Sequence, residues 1–460
     1  MEVKKSLILL VIFLFPAFLF ACGNNEVEAT IVLEVSRGEV VFWPEGGEVI
    51  LDVQSNAEVT ASSSQPWCDV DIRTPGKLRI TTVKNDVVGR ERQAEVTVNA
   101  KDLARVIKVK QLSQEVRFEV QEEGIYINDR QSVEFTLTVI ANSPYSIDSP
   151  SWAEEMGVES VNVVTNSHRF KLQPLSQPDS KREGKLVVKL DGFTNPGAIT
   201  VPVGQSNKKS VFTSASYNIL VGTWQDRKEL VYTIIDTHDF DIWGTQEGTN
   251  VHLTDITKKF ENYKFIGTGR DGGEKGEYSA ILYKTDRFEV LENGNFWYSN
   301  TPEKPSYGWD ATNYRRICSW GRFLDKETFN HFYFFNSHFD HQGVVARNES
   351  AKLLLSMIKT IVEPGYPVFA SGDLNCGPDS EPIALLKADG LLRDSRDLVE
   401  TPKGPLGTFN GLKPDVVSTG RIDYLFVSEG ITVKEYAVID DRPGGKCPSD
   451  HDPVRIVTEF

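Results

Sequence analysis

From Ile31 to about Gln205 apolar and polar residues alternate, as in Lys77-Leu-Arg-Ile-Thr-Thr-Val, Ala94-Glu-Val-Thr-Val and Val106-Ile-Lys-Val-Lys. A strand turns successive side chains to opposite faces, so this period of two predicts half-buried strands. Gly, Pro, Asn and Ser clusters separate the runs, and no stretch there carries a convincing helical pattern. After Ser206-Asn-Lys-Lys-Ser210 the pattern changes. Phe212 to Leu220 predicts a strand, and Lys228 to His238 a helix with Leu230, Ile234 and Ile235 on one face. Asp241-Ile-Trp-Gly predicts a strand, Ala346 to Val362 a helix with Leu353, Leu354, Met357 and Ile361 at a period near 3.6, and Pro367-Val-Phe-Ala-Ser another strand. A mixed α/β domain is therefore expected over 210–460, long enough to bury a substantial core.

The β-rich half repeats itself. Ser64-Gln-Pro-Trp67 is echoed by Ser149-Pro-Ser-Trp152, and Gly89-Arg-Glu-Arg-Gln-Ala-Glu-Val-Thr-Val by Lys181-Arg-Glu-Gly-Lys-Leu-Val-Val. Each copy closes on a Gln, in Val109-Lys-Gln111 and Val203-Gly-Gln205. An offset of roughly 85–94 residues is the size of one small sandwich, which predicts two all-β immunoglobulin-like sandwiches over 31–114 and 115–206. The layout resembles the BACON domain of Bacteroidetes proteins, which often sits beside an enzyme in lipoproteins and was first proposed to bind carbohydrate or mucin. That resemblance makes a glycan an expected partner. Trp67 and Trp152 then read either as sugar-stacking platforms or as packing residues beside a turn, the second being the expected role of so large a side chain.

Ahead of the repeats, Lys4 and Lys5 precede an apolar run from Leu7 to Ala21, broken only by Pro16. It is short for a membrane span and suits a secretory signal. Ending at Ala21-Cys22-Gly23, it resembles a bacterial lipoprotein signal. The resemblance implies removal of 1–21, lipid on Cys22, a tether over 22–30, and anchorage to the membranes of the bacterial envelope. An uncleaved anchor helix is the alternative, and both readings place the rest of the chain outside the cytoplasm.

Composition narrows the function. With 40% hydrophobic and 25% charged residues the chain is not mainly disordered. A formal charge of −15 argues against a broad basic face for polyanions but leaves room for a local phosphate site. Cys68, Cys318, Cys376 and Cys447 contain no Cys-x-x-Cys pair, so neither a zinc site nor a dense disulfide framework is expected; one disulfide stays open.

Polar residues recur at strand ends of the last domain: Asn218, Gly244-Thr-Gln-Glu247, Phe335-Asn-Ser-His-Phe-Asp-His341, Ser371-Gly-Asp-Leu-Asn375, Arg421-Ile-Asp-Tyr-Leu-Phe-Val and Ser449-Asp-His-Asp-Pro453. Oxygen ligands, imidazoles and amides suit phosphate-ester hydrolysis. A hard divalent cation offsets charge on the phosphoryl group and needs only one or two carboxylates. The attacking water needs a proton acceptor and a neighbour that orients it. Asp373 and Asn375, two residues apart on extended backbone, are expected to face the same way.

These motifs, in this order, resemble the endonuclease/exonuclease/phosphatase superfamily over residues 211–460. The resemblance implies a deoxyribonuclease I-like fold, a four-layer α/β sandwich, and Mg²⁺ as cofactor with Mn²⁺ as substitute. Glu247 would hold the ion, with Asn218 and Asp450 around it. Asp373 would activate the water and Asn375 position it. His451 would contact the phosphate with Asp423 fixing its tautomer, and His338 would stabilise phosphoryl oxygens with Glu277 supporting that ring. Arg316 would bind phosphate. Leu220 stands where some nucleases carry an acidic ligand, and Asp452 where many members carry an apolar residue.

Asp340 and His341 read as a strand-end brace more than as site residues, and His238, His252 and His331 as surface or packing residues. Trp297, Tyr307, Trp309 and Trp320 are expected either to flank the cleft or to pack a long loop. The reading reached is a Mg²⁺-dependent phosphoesterase, first a nuclease or nucleotide phosphodiesterase. A phosphatase or phospholipase C-like enzyme on a phosphorylated sugar or lipid headgroup is the second reading. A catalytically dead glycan-binding lipoprotein is the third. Residues 31–206 are expected to be dispensable for chemistry.

Overall fold

The computed structural model describes residues 30–460 except 130, 163 and 192–196. The signal expected over 1–21, Cys22 and all but the last tether residue lie outside the described residues. Two compact units appear, one reaching Phe118 and including Ala141–Ser143, the other formed by Glu119–Ile140 and Pro144–Phe460.

In the first unit one sheet runs Leu33–Val35, Gly47–Ser55, Lys77–Thr82, Cys68–Asp71, and the other Glu39–Phe42, Leu103–Gln111, Arg92–Ala100, Val59–Ser63. Alternation sends Leu51, Leu78 and Ile80 from the first sheet and Val96, Val98 and Ile107 from the second into one core. Each such side chain, fully buried, contributes about 1.5–3 kcal/mol. The second unit begins with a similar pair of sheets. One runs Ile125–Asn128, Ala198–Ser206, Lys181–Leu190, Tyr145–Asp148, and the other includes Ala153–Ser160, Thr165–Leu172 and Glu134–Ala141. No helix occurs among the described residues of 30–206.

The repeated Trp, Arg and Gln prove to be one cluster in each sandwich. The Arg92 guanidinium lies 4.3 Å over the Trp67 ring and donates to Gln111 Oε1 at 2.9 Å. Gln111 Nε2 donates in turn to the carbonyls of Trp43, Pro44 and Val83. Arg182 lies 4.5 Å over Trp152 and donates to Gln205 Oε1, while Gln205 Nε2 holds the carbonyls of Asp129 and Gln131. One face of each indole is thus covered by a guanidinium.

The rest of the second unit is a four-layer α/β sandwich. Its strands and helices are β1 (Val211–Asn218), α1 (Trp224–His238), β2 (Ile242–Gly248), α2 (Asn250–Lys259), β3 (Tyr263–Ile266), β4 (Tyr278–Lys284), β5 (Phe288–Trp297), β6 (Ile317–Asp325), β7 (His331–His338), α3 (Val344–Ile361), β8 (Val368–Asp373), α4 (Glu381–Lys387), β9 (Arg393–Asp394), β10 (Asp423–Val427), β11 (Thr432–Val438) and β12 (Val454–Glu459). One sheet has the order β3-β4-β2-β1-β12-β11 and the other β5-β6-β7-β8-β10-β9. In each the inner pair, β1 with β2 and β7 with β8, is parallel. Phe212, Phe332, Phe334 and Phe369 fill the space between the sheets. Helices α1 and α2 cover the outer face of the first sheet, and α3 and α4 that of the second. Covered on both sides, β7 is apolar in nearly continuous run rather than alternating.

Helix α1 starts earlier than expected and buries Val231, Ile234 and Ile235, leaving Leu230 half-buried at the edge. A polar cross-link joins the two sheets. Asn336 donates to the carbonyls of Thr245 and Ala280 and accepts from Gln246 at 2.7 Å and Ser371 at 2.9 Å. The close approach is why position 244 is glycine: a Cβ there would come within 2.2 Å of Ser371 Oγ. All four described cysteines are free and buried.

The β6–β7 hairpin tip packs on the second sandwich. Phe329, 3% exposed, sits where a Cβ on Gly204 would come within 2.3 Å of its ring, with Lys181 Nζ 4.2 Å above it. Asn128 donates to the Thr328 carbonyl at 2.7 Å, and His331 lies 3.2 Å from the Tyr126 carbonyl. Removing residues 31–206 would uncover this junction and expose Phe329.

Candidate active site

The ends of β1, β2, β7 and β8 and the starts of β10 and β12 meet at a cavity of about 420 Å³. Glu247, Glu277, Arg316, His338, Asp373, Asn375, Asp450 and His451 line it, together with Val221, Arg270, Tyr314, His341, Phe409 and Ile422. Asn218 and Asp423 stand just behind, in contact with the lining carboxylate Asp373 and the ring of His451.

Three lining or flanking residues take left-handed backbone: Leu220 at φ +55°, Glu247 at +61° and Asn375 at +50°. Non-glycine residues hold such angles only when the surroundings enforce them. At Glu247 the cause is a bulge, since the β2–β4 register shifts between Thr245 and Gly248 and swings the carboxylate toward the cavity. At Asn375 extended backbone has already ended at Asp373. The Asn375 amide N–H turns back to Asp373 Oδ1 at 3.0 Å, and its side chain donates to the Phe339 carbonyl. The expectation that both side chains project from one extended strand is corrected, although both reach the cavity.

Asn218 is corrected as an ion ligand. Its Oδ1 accepts the Leu220 N–H at 3.0 Å, so Nδ2 faces Glu247 Oε1 and Asp373 Oδ2, each at 3.0 Å. A group that donates to two carboxylates offers no lone pair to a cation. Leu220, the departure from the acidic residue, acts through its backbone. Buried Arg227 donates to the carbonyls of Ile219, Leu220, Gly222 and Pro448, tying the loop after β1 to the loop that carries Ser449, Asp450 and His451.

His451 Nδ1 lies 2.8 Å from Asp423 Oδ2 and Nε2 3.7 Å from Asp373 Oδ2. Burial pulls the His451 pKa down, but Asp423 and then Asp373 outweigh it and raise it to about 10. Asp373 is pushed up to about 7 by burial and by the charge of Asp423. His338 Nε2 is 3.5 Å from Asp373 Oδ2, and burial beside Arg316 and Arg270 holds this ring neutral. Burial raises Asp450, with Glu247 adding to the effect.

Two groupings bear on a cation. Asp373, Asp423 and His451 bring ligand atoms within 4.8 Å of one another. A protonated ring whose Nδ1 is engaged by Asp423 is a poor ligand, so this trio suits proton handling. Glu247 and Asp450 instead offer hard oxygens to the same cavity, and their mutual repulsion is what a divalent cation relieves; the donor set fits Mg²⁺ or Mn²⁺.

Glu277 does not support His338. It grips Arg270, which donates from both terminal nitrogens at 2.6 and 2.9 Å. Arg316, 5% exposed, lies 3.1 Å from His341 Nδ1 and 3.5 Å from Asp340 Oδ2. Asp340 is the expected brace, accepting the N–H groups of Gln342 and Gly343 before α3. Asp452 points away from the cavity, taking Arg442 in a two-pronged pair and Asn410 at 2.8 Å.

The aromatic walls are Tyr314 and Phe409; of Trp297, Tyr307, Trp309 and Trp320, to which two roles were open, none lines the cavity. Trp297 is buried and donates to the Arg270 carbonyl at 2.7 Å, Trp309 and Trp320 pack against the core, and Tyr307 lies under Arg315. Arg270, Tyr314 and Phe409 sit on loops without a strand-end signature, whereas His341, read with Asp340 as a strand-end brace, also lines the cavity. Arg270 had one visible cue, the Gly-rich stretch around it. His238 pairs with Asp441 at the surface, while His252 caps α2 and is buried.

The sequence profile of the endonuclease/exonuclease/phosphatase family matches residues 215–451. An endonuclease/exonuclease/phosphatase family protein from Bacteroides thetaiotaomicron is 39% identical, with TM-score 0.52, over 55% of this chain and 99% of that one. A mannosyl-6-phosphatase from the same organism is also 39% identical, with TM-score 0.51, over 54% of this chain and 100% of that one. An uncharacterized protein of Acanthamoeba polyphaga mimivirus is 27% identical over 255 residues, 51% of this chain and 92% of its own.

Proposed function

Because the chain belongs to the endonuclease/exonuclease/phosphatase family of metal-dependent phosphoesterases, we propose that it is a phosphomonoesterase acting on a phosphorylated sugar with Mg²⁺ as its ion. The observation that carries this reading is a cavity of about 420 Å³ lined together by the carboxylates of Glu247, Asp373 and Asp450, the guanidiniums of Arg270 and Arg316, and the imidazoles of His338 and His451. Its volume suits one small ligand. The similarity to a mannosyl-6-phosphatase over that protein's whole length favours a sugar phosphate. Tyr314 and Phe409, about half exposed on two sides, offer faces for a sugar ring. A charge of −15 weighs against the nucleic-acid reading, since long polyanions are bound through many Lys and Arg contacts.

Glu247 and Asp450 would hold the ion, which when bound supplies positive charge to the phosphoryl oxygens. Asp373, with a pKa near working pH, accepts the proton of the attacking water. Its two oxygens are fixed by the Asn218 amide and the Asn375 N–H, so the lone pair that takes the proton has one direction. His451, charged and held through Nδ1 by Asp423, donates from Nε2 to a phosphoryl oxygen. Neutral His338 and Arg316 brace the remaining oxygens. The apolar run Leu7–Ala21 before Cys22 supports placing this activity outside the cytoplasm on a lipid anchor.

Purified protein with Mg²⁺ should release phosphate from mannose 6-phosphate much faster than it cleaves oligonucleotides or dinucleotides, and chelation should abolish both. Turnover of oligonucleotides above that of every sugar phosphate in the panel would overturn the reading.

A further inference from the structure

The cavity wall contains a guanidinium that the proposed mechanism leaves without a task. Arg270 lines the cavity beside Arg316 and His338. Glu277 takes one edge of its fork at 2.6 and 2.9 Å, and the ring of Tyr314 lies 4.4 Å from its guanidinium carbon. The same ring is 5.6 Å from the guanidinium carbon of Arg316, whose Nε pairs with Asp340 at 3.5 Å and whose Nη2 lies 3.1 Å from His341 Nδ1. The backbone of Arg270 is fixed as well: its carbonyl takes the Trp297 indole N–H at 2.7 Å, and its N–H donates to the Glu277 carbonyl at 2.8 Å. A bidentate carboxylate, a ring face and two backbone bonds hold one arginine in place. Such preorganisation suits a group that recognises a planar or forked anion.

We infer that Arg270, together with Arg316, is the specificity determinant that selects phosphomonoesters over phosphodiesters. The inference rests on the phosphomonoesterase reading and adds to it the residue that enforces the choice. A monoester at neutral pH has a third non-bridging oxygen and close to one more negative charge than a diester. In a diester that position carries an ester oxygen and a carbon substituent. A wall of two guanidiniums rewards the first with charge-assisted hydrogen bonds. Against the second it is left with buried donors facing carbon, and a site built to hydrogen-bond a group discriminates strongly against its absence.

Two chromogenic substrates with the same leaving group test this: 4-nitrophenyl phosphate and bis(4-nitrophenyl) phosphate, assayed with Mg²⁺. Wild type should prefer the monoester; a preference for the diester would sink the phosphomonoesterase reading itself. Arg270→Met should lower the monoester-to-diester ratio of kcat/KM at least about tenfold, the worth of a charge-assisted hydrogen bond. Arg270→Lys should not restore it, because an ammonium cannot hold Glu277 through two parallel bonds and still face the cavity. The double variant Arg270→Met with Glu277→Gln removes the ion pair without stranding a buried charge, and should show the same loss if the single variant folds poorly. A monoester-preferring wild type whose ratio stays within twofold in a folded variant would overturn the role of Arg270 alone.

Discussion

In each sandwich an arginine, a glutamine and an indole close on one another, and the amide spends its donors on two or three backbone carbonyls. At the catalytic pocket buried polar groups are left in tension instead. Asp373 is held near Asp423, Asp423 Oδ1 is buried with no partner among the described residues, and Glu247 sits on left-handed backbone. The first kind of cluster satisfies groups that folding buries anyway. The second assembles charges that repel until an ion and a phosphate arrive. Burial alone therefore does not separate structural from functional polar residues; whether their hydrogen-bonding capacity is met does.

The sharpest way to break this comparison is to remove Asp373. Burial raises its pKa to about 7, so above that pH the folded protein keeps a carboxylate ionised where the unfolded chain does so at no cost. Asp373→Ala should lower kcat by about 10²-fold or more. In metal-free buffer at pH 8 its melting temperature should equal or exceed that of wild type, as happens when function is held at the expense of stability. A melting temperature well below wild type would put Asp373 with the structural clusters.

The opposite outcome is expected at Gln111. Gln111→Ala takes one of two donors from the carbonyls of Trp43 and Pro44, which keep the N–H groups of Gly46 and Asn85, and leaves Arg92 Nε without its acceptor. It should cost about 1–3 kcal/mol of stability for each group left unsatisfied, within the usual limits of non-additivity. The unfolding transition of the first sandwich reports this loss, while kcat on the sugar phosphate stays at the wild-type value. A change in kcat without a change in unfolding would reverse the assignment.

Much of this contrast is legible in the sequence. The change of hydrophobic period after Ser210 separates β-rich from α/β material, and strand-end polar residues such as Glu247, Asp373 and His451 stand out because strands are otherwise apolar there. Atom-level direction was hidden. Asn218 reads as an oxygen donor, yet the Leu220 N–H takes that oxygen, and no pattern of residue types encodes which end of an amide faces inward. Glu277 reads as a partner of the histidine because the residue that claims it, Arg270, lies on a glycine-rich turn. Tyr314 and Phe409 come from loops whose spacing carries no periodic signal. The Trp and Gln of the repeats were visible as a pattern, but their joint purpose required the guanidinium that register places between them.

Two buried histidines carry the comparison to its finest scale. His451 is held charged by Asp423 and Asp373, whereas His252 has no carboxylate in hydrogen-bonding contact among the described residues and packs 4.5 Å from the Trp224 ring. Burial, with the nearby charge of Arg227, lowers its pKa from 6.5 to about 4. Its Nδ1 accepts the Thr249 N–H at 2.7 Å, which closes the N-terminus of α2 and needs the unprotonated nitrogen. The unfolded chain takes up a proton at this residue as pH falls through about 6.5, while the folded chain resists until about 4. Stability from this group is therefore complete above pH 6.5, declines between 6.5 and 4, and levels off below. Glutamine at the same helix position can still accept the Thr249 N–H but does not titrate. His252→Gln should flatten that part of the curve of unfolding free energy against pH while leaving the activity at pH 7.5 near wild type. An unchanged slope would mean that the acid sensitivity arises elsewhere, with the Asp373–Asp423–His451 trio the first place to look.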